Sequence, residues 1–134
     1  MAFEGPIEDR LAIRERIDTY CDAVFRKNAD DWIACWAEEG VWRLPGSEVS
    51  GRDAIKAAWI GAMSRYALAG FFASAGHIKV DGDTAQVRAY TQEFLQGTDG
   101  SYIKIIGAYD DTLVKRGGAW LFTSRTYTVL RMDT

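Results

Sequence analysis

The chain has 134 residues, enough for one domain with a buried core and too few for two, so we expect residues 1–134 to form a single domain. Hydrophobic residues make up 48% and charged residues 26% of the chain, proportions that exclude disordered and fibrous classes. Its 16 Lys and Arg against 19 Asp and Glu give a net charge of −3, which argues against a nucleic-acid partner.

The first half of the sequence has helical periodicity. Apolar residues recur at three- and four-residue spacing over 7–27, which predicts an amphipathic helix with Ile17 and Tyr20 on its buried side. Asn28 is the expected N-cap of a second, shorter helix over 29–37. Both helices are expected to bury their apolar sides against the second half of the chain.

A short strand and a third helix are expected next. Gly40 is predicted to end the second helix, and residues 41–44 form a short apolar strand. Ser50 and Asp53 resemble a capping box, which predicts a third helix over 53–69.

After Gly70 the apolar residues alternate with polar ones, a pattern typical of strands. Short Gly- and Asp-containing turns separate four predicted strands, and strands joined by short turns pair antiparallel. These strands are expected over 73–80, 83–96, 101–115 and 118–130.

This order of elements predicts an α+β fold. The N-terminal helices are expected to pack on one face of a strongly curved antiparallel sheet, forming a cone with an internal pocket. Such a hollow suits a small hydrophobic molecule.

Several classes of site and location are disfavoured. No apolar run reaches the length of a membrane span, and the charged N-terminus differs from a signal peptide. One histidine and two cysteines are too few for a zinc or haem site, so no metal or other cofactor is expected. Cys21 and Cys35 lie among apolar residues and are expected to be buried free thiols in a cytoplasmic protein.

Four stretches of this sequence resemble the SnoaL-like branch of the NTF2-like (cystatin-like α+β) superfamily. The likeness covers nearly the whole chain. It rests on Ile17-x-x-Tyr20 with Asp31-Trp32-x-x-x-Trp36, on Glu39-Gly40-Val41-Trp42, on the hairpin Ile78–Ala85, and on Gly107-x-Tyr109-x-Asp111 followed by Gly118-x-Trp120-x-Phe122.

The resemblance implies a cone with an apolar pocket, and often a dimer. It does not imply one reaction, because the superfamily includes cyclases, dehydratases, a dehydrochlorinase, an epoxide hydrolase, an isomerase and non-catalytic dioxygenase subunits. The dehydratase and dehydrochlorinase members use a His–Asp dyad. An ungapped placement puts Phe25 at the Asp position and Phe71 at or next to the His position, so this chain departs from the dyad at both.

Two polar residues remain as catalytic candidates. Strand alternation points Glu93 into the hollow, where its position resembles that of the catalytic acid in the bile-acid dehydratase; near the strand end it would instead be solvated. Tyr20 resembles the pocket tyrosine of the dehydratases and could donate to a substrate carbonyl, although a core tyrosine would fit the same pattern. The expected pocket-lining residues are Phe25, Trp36, Trp42, Trp59, Phe71 and Tyr109.

Three other polar residues have mainly structural interpretations. His77 does not match the family histidine, and strand parity turns it away from the helices, towards the surface or a dimer face. Asp111 and Arg125 could pair across neighbouring strands, and a structural salt bridge is the favoured interpretation of that pair.

Two functional hypotheses follow. The first is a cofactor-free isomerase, cyclase or lyase acting on a hydrophobic cyclic or aromatic compound. The second is a non-catalytic ligand-binding protein or subunit, like the small subunit of ring-hydroxylating dioxygenases. A hollow filled by Phe25, Phe71 and the tryptophans would favour this second hypothesis over the enzyme. In either case the outward set Gln86, Arg88, Tyr90, Gln92 and Phe94 is expected to form a homodimer face.

Overall fold

A computed structural model describes residues 1–134, with three helices and one seven-stranded sheet. The helices are α1 (Ile7–Arg26), α2 (Ala29–Ile33) and α3 (Arg52–Met63). The strands are β1 (Phe3–Glu4), β2 (Trp36–Leu44), β3 (Ser47–Ser50), β4 (Tyr66–Asp81), β5 (Thr84–Gly97), β6 (Tyr102–Arg116) and β7 (Ala119–Asp133). The predicted α+β class is confirmed.

The four long strands form the predicted antiparallel meander, and the sheet order is β1-β4-β5-β6-β7-β2-β3. Two further pairings are parallel, β1 with β4 and β2 with β7, so the sheet is mixed rather than purely antiparallel. A parallel pair needs a long crossover, and the whole meander separates β2 from β7. Register shifts between Ala75 and His77, and between Thr112 and Leu113, interrupt the ladders of this curved sheet.

The first helix follows its predicted span. Ile13, Ile17 and Tyr20 are buried against the sheet, and the helix ends at Lys27 in a left-handed conformation with φ of 52°. The Asn28 side chain accepts a hydrogen bond from the backbone N–H of Asp31 at 3.0 Å, which confirms the predicted N-cap of α2.

The second helix is shorter than predicted, because it ends at Ile33 instead of residue 37. Trp36 already begins β2 and lies opposite Phe122 of β7 in a parallel ladder. Gly40 lies inside β2, where a Cβ atom would come within 2.8 Å of the Trp36 ring. Pairing with a strand almost ninety residues later therefore overrides the helical pattern of this stretch.

The third helix also ends earlier than predicted, at Met63 instead of residue 69. Tyr66 starts β4, and the stretch up to Phe72 pairs with the far end of β5, so a strand replaces the last predicted turns. The N-cap of α3 is Gly51 with φ of 90°, and no side chain caps it, so the predicted capping box of Ser50 and Asp53 is wrong.

A single cluster of 26 buried hydrophobic residues joins the helices to the inner face of the sheet. Cys21 and Cys35 belong to it as buried free thiols, as predicted. None of the three helices is both long enough and apolar enough to cross a membrane.

Candidate functional site

Most of the buried polar side chains lie on the inner face of three adjacent strands. Tyr109 of β6 is opposite Tyr127 of β7, and Asp111 is opposite Arg125 in the next inner row. Glu93 comes from the neighbouring β5, on the same face as Thr91. Residues two apart on a strand share a face, so β5, β6 and β7 together line the interior with a row of polar groups.

The centre of this row is an ion pair without solvent contact. Arg125 donates from Nε and Nη2 to the two carboxylate oxygens of Asp111 at 2.7 and 3.0 Å, and both side chains are 0% exposed. Burial alone lowers the pKa of Arg125, but the Asp111 charge raises it above its usual value, so the guanidinium stays ionised. The predicted structural salt bridge is present.

Aromatic rings enclose the guanidinium. Its central carbon lies 3.8 Å from the Tyr109 ring centroid, 4.3 Å from Phe122 and 4.5 Å from Tyr20. A cation over ring faces is stabilised by the ring quadrupoles, more strongly where water is excluded. The ion pair is therefore fixed by packing as well as by charge.

The phenol groups beside it are held neutral. The indole Nε1–H of Trp42 donates to the Tyr109 hydroxyl at 3.1 Å, and burial raises the pKa of Tyr109 to about 12. Burial and the neighbouring Tyr109 raise the pKa of Tyr20 well above its usual value. Both phenols are therefore hydrogen-bonding groups rather than bases at neutral pH.

Glu93 lies further along the same face and is only partly buried. Its Oε2 accepts hydrogen bonds from the Tyr127 hydroxyl and from the Thr91 hydroxyl, the latter at 2.8 Å. Burial raises the pKa of Glu93, while these two donors oppose the rise. A carboxyl group with a raised pKa at a partly open position is suited to giving or taking a proton.

Tyr127 reaches Glu93 because Gly107 leaves room for its ring. Gly107 lies between the two strands that carry them, opposite Thr91 on β5 and Val129 on β7. A Cβ atom at Gly107 would come within 2.6 Å of ring carbons of Tyr127. The missing side chain therefore permits the contact between Tyr127 and Glu93.

Replacing Gly107 by alanine is expected to displace Tyr127 and lower the free energy of unfolding by about 1–3 kcal/mol, the usual cost of overpacking. Urea denaturation measures this loss. Gly61→Ala is the matched control: it adds the same methyl group inside α3, with no atom within 4 Å, and is expected to be neutral or stabilising by up to about 1 kcal/mol. Equal stability of Gly107→Ala and wild type would contradict this account of the contact.

Most of the predicted pocket-lining residues pack against one another in the interior. Trp36, Trp42, Trp59, Phe71 and Tyr109 are each at most 7% exposed. Trp32, which the sequence did not single out for the site, joins them by stacking on Trp59 at 4.7 Å. None of the five main clefts of the molecule is lined by these residues or by Tyr20.

Phe25 and Phe71, which the ungapped placement puts at or next to the expected dyad positions, have different environments. Phe71 is buried against the Tyr20 ring with centroids 5.7 Å apart. Phe25 is 38% exposed and packs edge-on against Phe72. His77 does not approach the polar row: it lines a groove with Arg88 and Asp110 on the other face of the sheet. No group of three or more His, Cys, Asp or Glu is placed to hold a metal ion.

The best-formed cleft, of about 470 Å³, lies mainly on the outer face of the sheet. Two cross-strand rows supply eight of its twelve lining residues, Phe72–Gln92–Ile106–Arg131 and Gly70–Phe94–Lys104–Asp133. These rows alternate with the row that contains Glu93. Glu93 contributes to the cleft wall, but its carboxylate contacts lie on the inner face, so this cleft and the buried polar row are separate features.

Sequence reasoning singled out Glu93, Tyr20, Asp111 and Arg125, and it missed the contact of Tyr127 with Glu93. Alternation along β7 places Tyr127 on the same face as Arg125. Its contact with Glu93, however, crosses a whole strand and depends on register. A glycine in the middle of an otherwise regular strand, Gly107, was the available signal.

A family model for the SnoaL-like domain matches residues 6–126, which is most of the chain. This chain belongs to the SnoaL-like family. No curated protein matches its sequence.

Solved structures show the same fold as this SnoaL-like protein. A provisionally named aromatic ring hydroxylase from Novosphingobium aromaticivorans is 25% identical, with a TM-score of 0.90 and coverage of 96% of this chain and 94% of that chain. A provisionally named scytalone dehydratase from the same organism is 22% identical, with a TM-score of 0.89 and coverage of 95% and 87%. The hexachlorocyclohexane dehydrochlorinase LinA type 2 is 14% identical, with a TM-score of 0.86 and coverage of 95% and 88%.

Proposed function

We propose that this SnoaL-like protein binds a small hydrophobic cyclic or aromatic compound inside the cone and catalyses a cofactor-free isomerisation, cyclisation or elimination. Glu93 is the general acid or base. The observation that carries the proposal is the Glu93 carboxyl group: it is partly buried, has a raised pKa and is oriented by the Tyr127 and Thr91 hydroxyls.

The surroundings of Glu93 suit proton transfer to and from carbon. Its cross-strand neighbours on the inner face are Phe71 and Ile105, so a ligand beside the carboxylate would meet apolar walls. Water excluded by such walls cannot compete for the proton, and a carboxyl group there keeps a raised pKa.

Tyr20 is proposed as the hydrogen-bond donor to a substrate oxygen. Its ring lies between Phe71, the neighbour of Glu93, and the guanidinium of Arg125. Because the pKa of Tyr20 is well above its usual value, the phenol stays protonated, and its O–H group can donate a hydrogen bond to a developing oxyanion. Because Tyr20 is 2% exposed, this role requires a ligand that displaces part of the aromatic packing around it.

The names of two similar structures agree with this class of reaction. A dehydratase and a dehydrochlorinase both form a double bond by removing a proton and a leaving group, and the neighbours bear these names. The ungapped placement puts Phe25 at one dyad position of such enzymes and Phe71 at or next to the other, so the proton transfer is assigned to Glu93.

A thermal-shift screen with steroids, polyketides and aromatic hydroxy-ketones tests the binding step. A compound present at 100 times its dissociation constant is expected to stabilise the folded state by about 2.7 kcal/mol, which is readily measured as a rise in Tm. No shift with any of these classes would contradict a hydrophobic binding site inside the cone.

A non-catalytic ligand-binding or subunit role is the second candidate, favoured by the packed interior. Phe71 and the tryptophans are buried in the interior. The ungapped placement puts Phe25 at one dyad position and Phe71 at or next to the other. A compound that stabilises the protein but is recovered unchanged after prolonged incubation would support this candidate over the enzyme.

We also propose that the protein is a cytoplasmic homodimer formed through the outer face of the sheet. Large side chains are exposed there on adjacent strands: Leu68, Phe72, Tyr90, Tyr102 and Ile106. A second copy is the proposed occupant, because Lys104 and the Arg131–Asp133 ion pair border the same area, so groups of both charges would meet between two symmetry-related copies.

Light scattering at micromolar concentration is expected to give the mass of a dimer, and Phe72→Glu is expected to give a monomer by placing a charge in the apolar interface. Leu11→Glu, at an exposed leucine of α1, is the matched control and should leave the mass unchanged. A monomeric wild type would contradict the proposed dimer.

A further inference from the structure

Three buried hydrogen-bond donors in the interior have no partner: Arg125 Nη1, Trp32 Nε1 and Trp36 Nε1. All three side chains are 0% exposed. Buried polar groups in folded proteins are nearly always hydrogen-bonded, so three unpaired donors in one region call for an explanation.

The side chains that carry these donors pack against the same two rings. The Arg125 guanidinium lies over the rings of Tyr20 and Phe122. Trp32 packs against Tyr20 with centroids 5.3 Å apart, and Trp36 packs against Phe122 at 5.9 Å. The unpaired groups therefore belong to one cluster, with an ionised donor and two neutral ones.

None of the side-chain acceptors described in the interior accepts from these three donors. Both carboxylate oxygens of Asp111 accept from Arg125, through Nε and Nη2, so Nη1 lies on the edge of the guanidinium that Asp111 does not occupy. The Tyr109 hydroxyl accepts from Trp42, and Glu93 accepts from Thr91 and Tyr127. A set of donors without acceptors selects a ligand that supplies an acceptor atom.

We propose that the interior binds a flat aromatic or alicyclic compound through a carbonyl or ionised oxygen, which accepts a hydrogen bond from Arg125 Nη1 with the Trp32 and Trp36 indoles as neighbouring donors. This inference rests on the proposed function in placing a ligand inside the cone, and it specifies the polar group that the ligand must carry. The ring of the ligand would displace part of the aromatic packing in this region, and the charge-assisted hydrogen bond would orient it.

Three matched probes test the inference: benzoate, acetophenone and toluene. They share a phenyl ring and differ in carrying an ionised oxygen, a neutral carbonyl oxygen or no acceptor. Titrations followed by the indole N–H resonances of ¹⁵N-labelled protein are expected to show about tenfold or greater preference for benzoate or acetophenone over toluene. The Trp32 and Trp36 resonances should shift downfield. Those of Trp42 and Trp120, whose indoles already donate to Tyr109 and Asp9, should move less.

Arg125→Lys keeps the charge and removes Nη1, and it is expected to abolish the preference over toluene. Trp36→Phe keeps an aromatic ring but removes one indole donor, and it should reduce the preference over toluene about two- to tenfold. This variant tests the inference independently if the arginine variant does not fold. Arg65→Lys, an exposed change away from the interior and from the outer-face cleft, should leave all three affinities unchanged.

The possible results separate the two proposals. Binding of all three probes with equal affinity, or a preference that survives Arg125→Lys, overturns the oxygen-recognition inference while leaving a hydrophobic site intact. Failure of every probe and every larger compound to bind overturns both proposals. The comparison of benzoate with acetophenone decides between an ionised and a neutral oxygen.

Discussion

Replacing Asp111 by asparagine is expected to lower the free energy of unfolding by about 3–5 kcal/mol, as is usual when one partner of a buried ion pair is removed. Both members of the pair are completely buried, and the aromatic ring of Tyr109 covers the Arg125 guanidinium, so Arg125 cannot turn out to solvent. Asparagine fills nearly the same space but leaves the guanidinium charge without its counter-ion. Because single domains are stable by about 5–15 kcal/mol in total, this one change would remove a large part of the stability.

Urea denaturation with linear extrapolation measures the effect. Asp110→Asn is the matched control, because Asp110 is the adjacent residue but is exposed on the opposite face of the sheet. Its free energy of unfolding is expected to stay within about 0.5 kcal/mol of wild type. The double variant Asp111→Leu/Arg125→Met, which removes both charges, should recover most of the loss. A loss below 1 kcal/mol for Asp111→Asn would show that the ion pair does not hold the interior together.

Glu93→Gln is expected to reduce turnover by about 10²- to 10⁴-fold, the usual contribution of a general acid or base. Glutamine preserves the size of the side chain and can still accept a hydrogen bond from Tyr127, but it can neither take nor give the catalytic proton. The measurement is kcat on the compound identified by the thermal-shift screen. Unchanged turnover would refute the catalytic role of Glu93.

The same variant has a predicted pH signature in stability. Glu93 has a pKa raised by burial above its ordinary value of 4.5, so the folded state binds this proton more tightly than the unfolded chain. The stabilising contribution is complete below pH 4.5 and is lost as pH rises through the folded pKa. Relative to wild type, Glu93→Gln should therefore gain stability on going from pH 4 to pH 7.

Glu39 provides a control of opposite sign. Its hydrogen bonds with Arg116 lower its pKa to about 2, so its contribution is present above pH 4.5 and is lost as pH falls. Relative to wild type, Glu39→Gln should therefore lose stability on going from pH 4 to pH 7. The same pH trend for both variants would contradict the assigned shift of Glu93.

Local periodicity was sufficient for a large part of this molecule. The three- and four-residue spacing around Ile17 and Tyr20 correctly predicted α1 and its buried side. Alternation along the strands correctly turned His77 outward and brought Asp111 and Arg125 together. These features depend on residues a few positions apart, whose relative directions are fixed by backbone geometry.

Other features depended on contacts between distant residues. The helical pattern at Trp36 gave way to a parallel ladder with Phe122, and the stretch 66–72 became strand because it pairs with β5. No local spacing encodes such partners, since the gain from completing a ladder and burying its side chains exceeds the small difference in backbone propensity.

The sequence by itself determined the fold class, the resemblance to the SnoaL-like family and the two residues of the central ion pair. Only the tertiary structure decided how the many aromatic residues are used. It packs Trp32, Trp36, Trp42 and Trp59 into the interior and places the best-formed cleft mainly on the opposite face of the sheet. It also joins Tyr127 to Glu93 across Gly107. Which side chain fills a hollow depends on strand register and sheet curvature, and these are set by the packing of the whole chain rather than by any one segment.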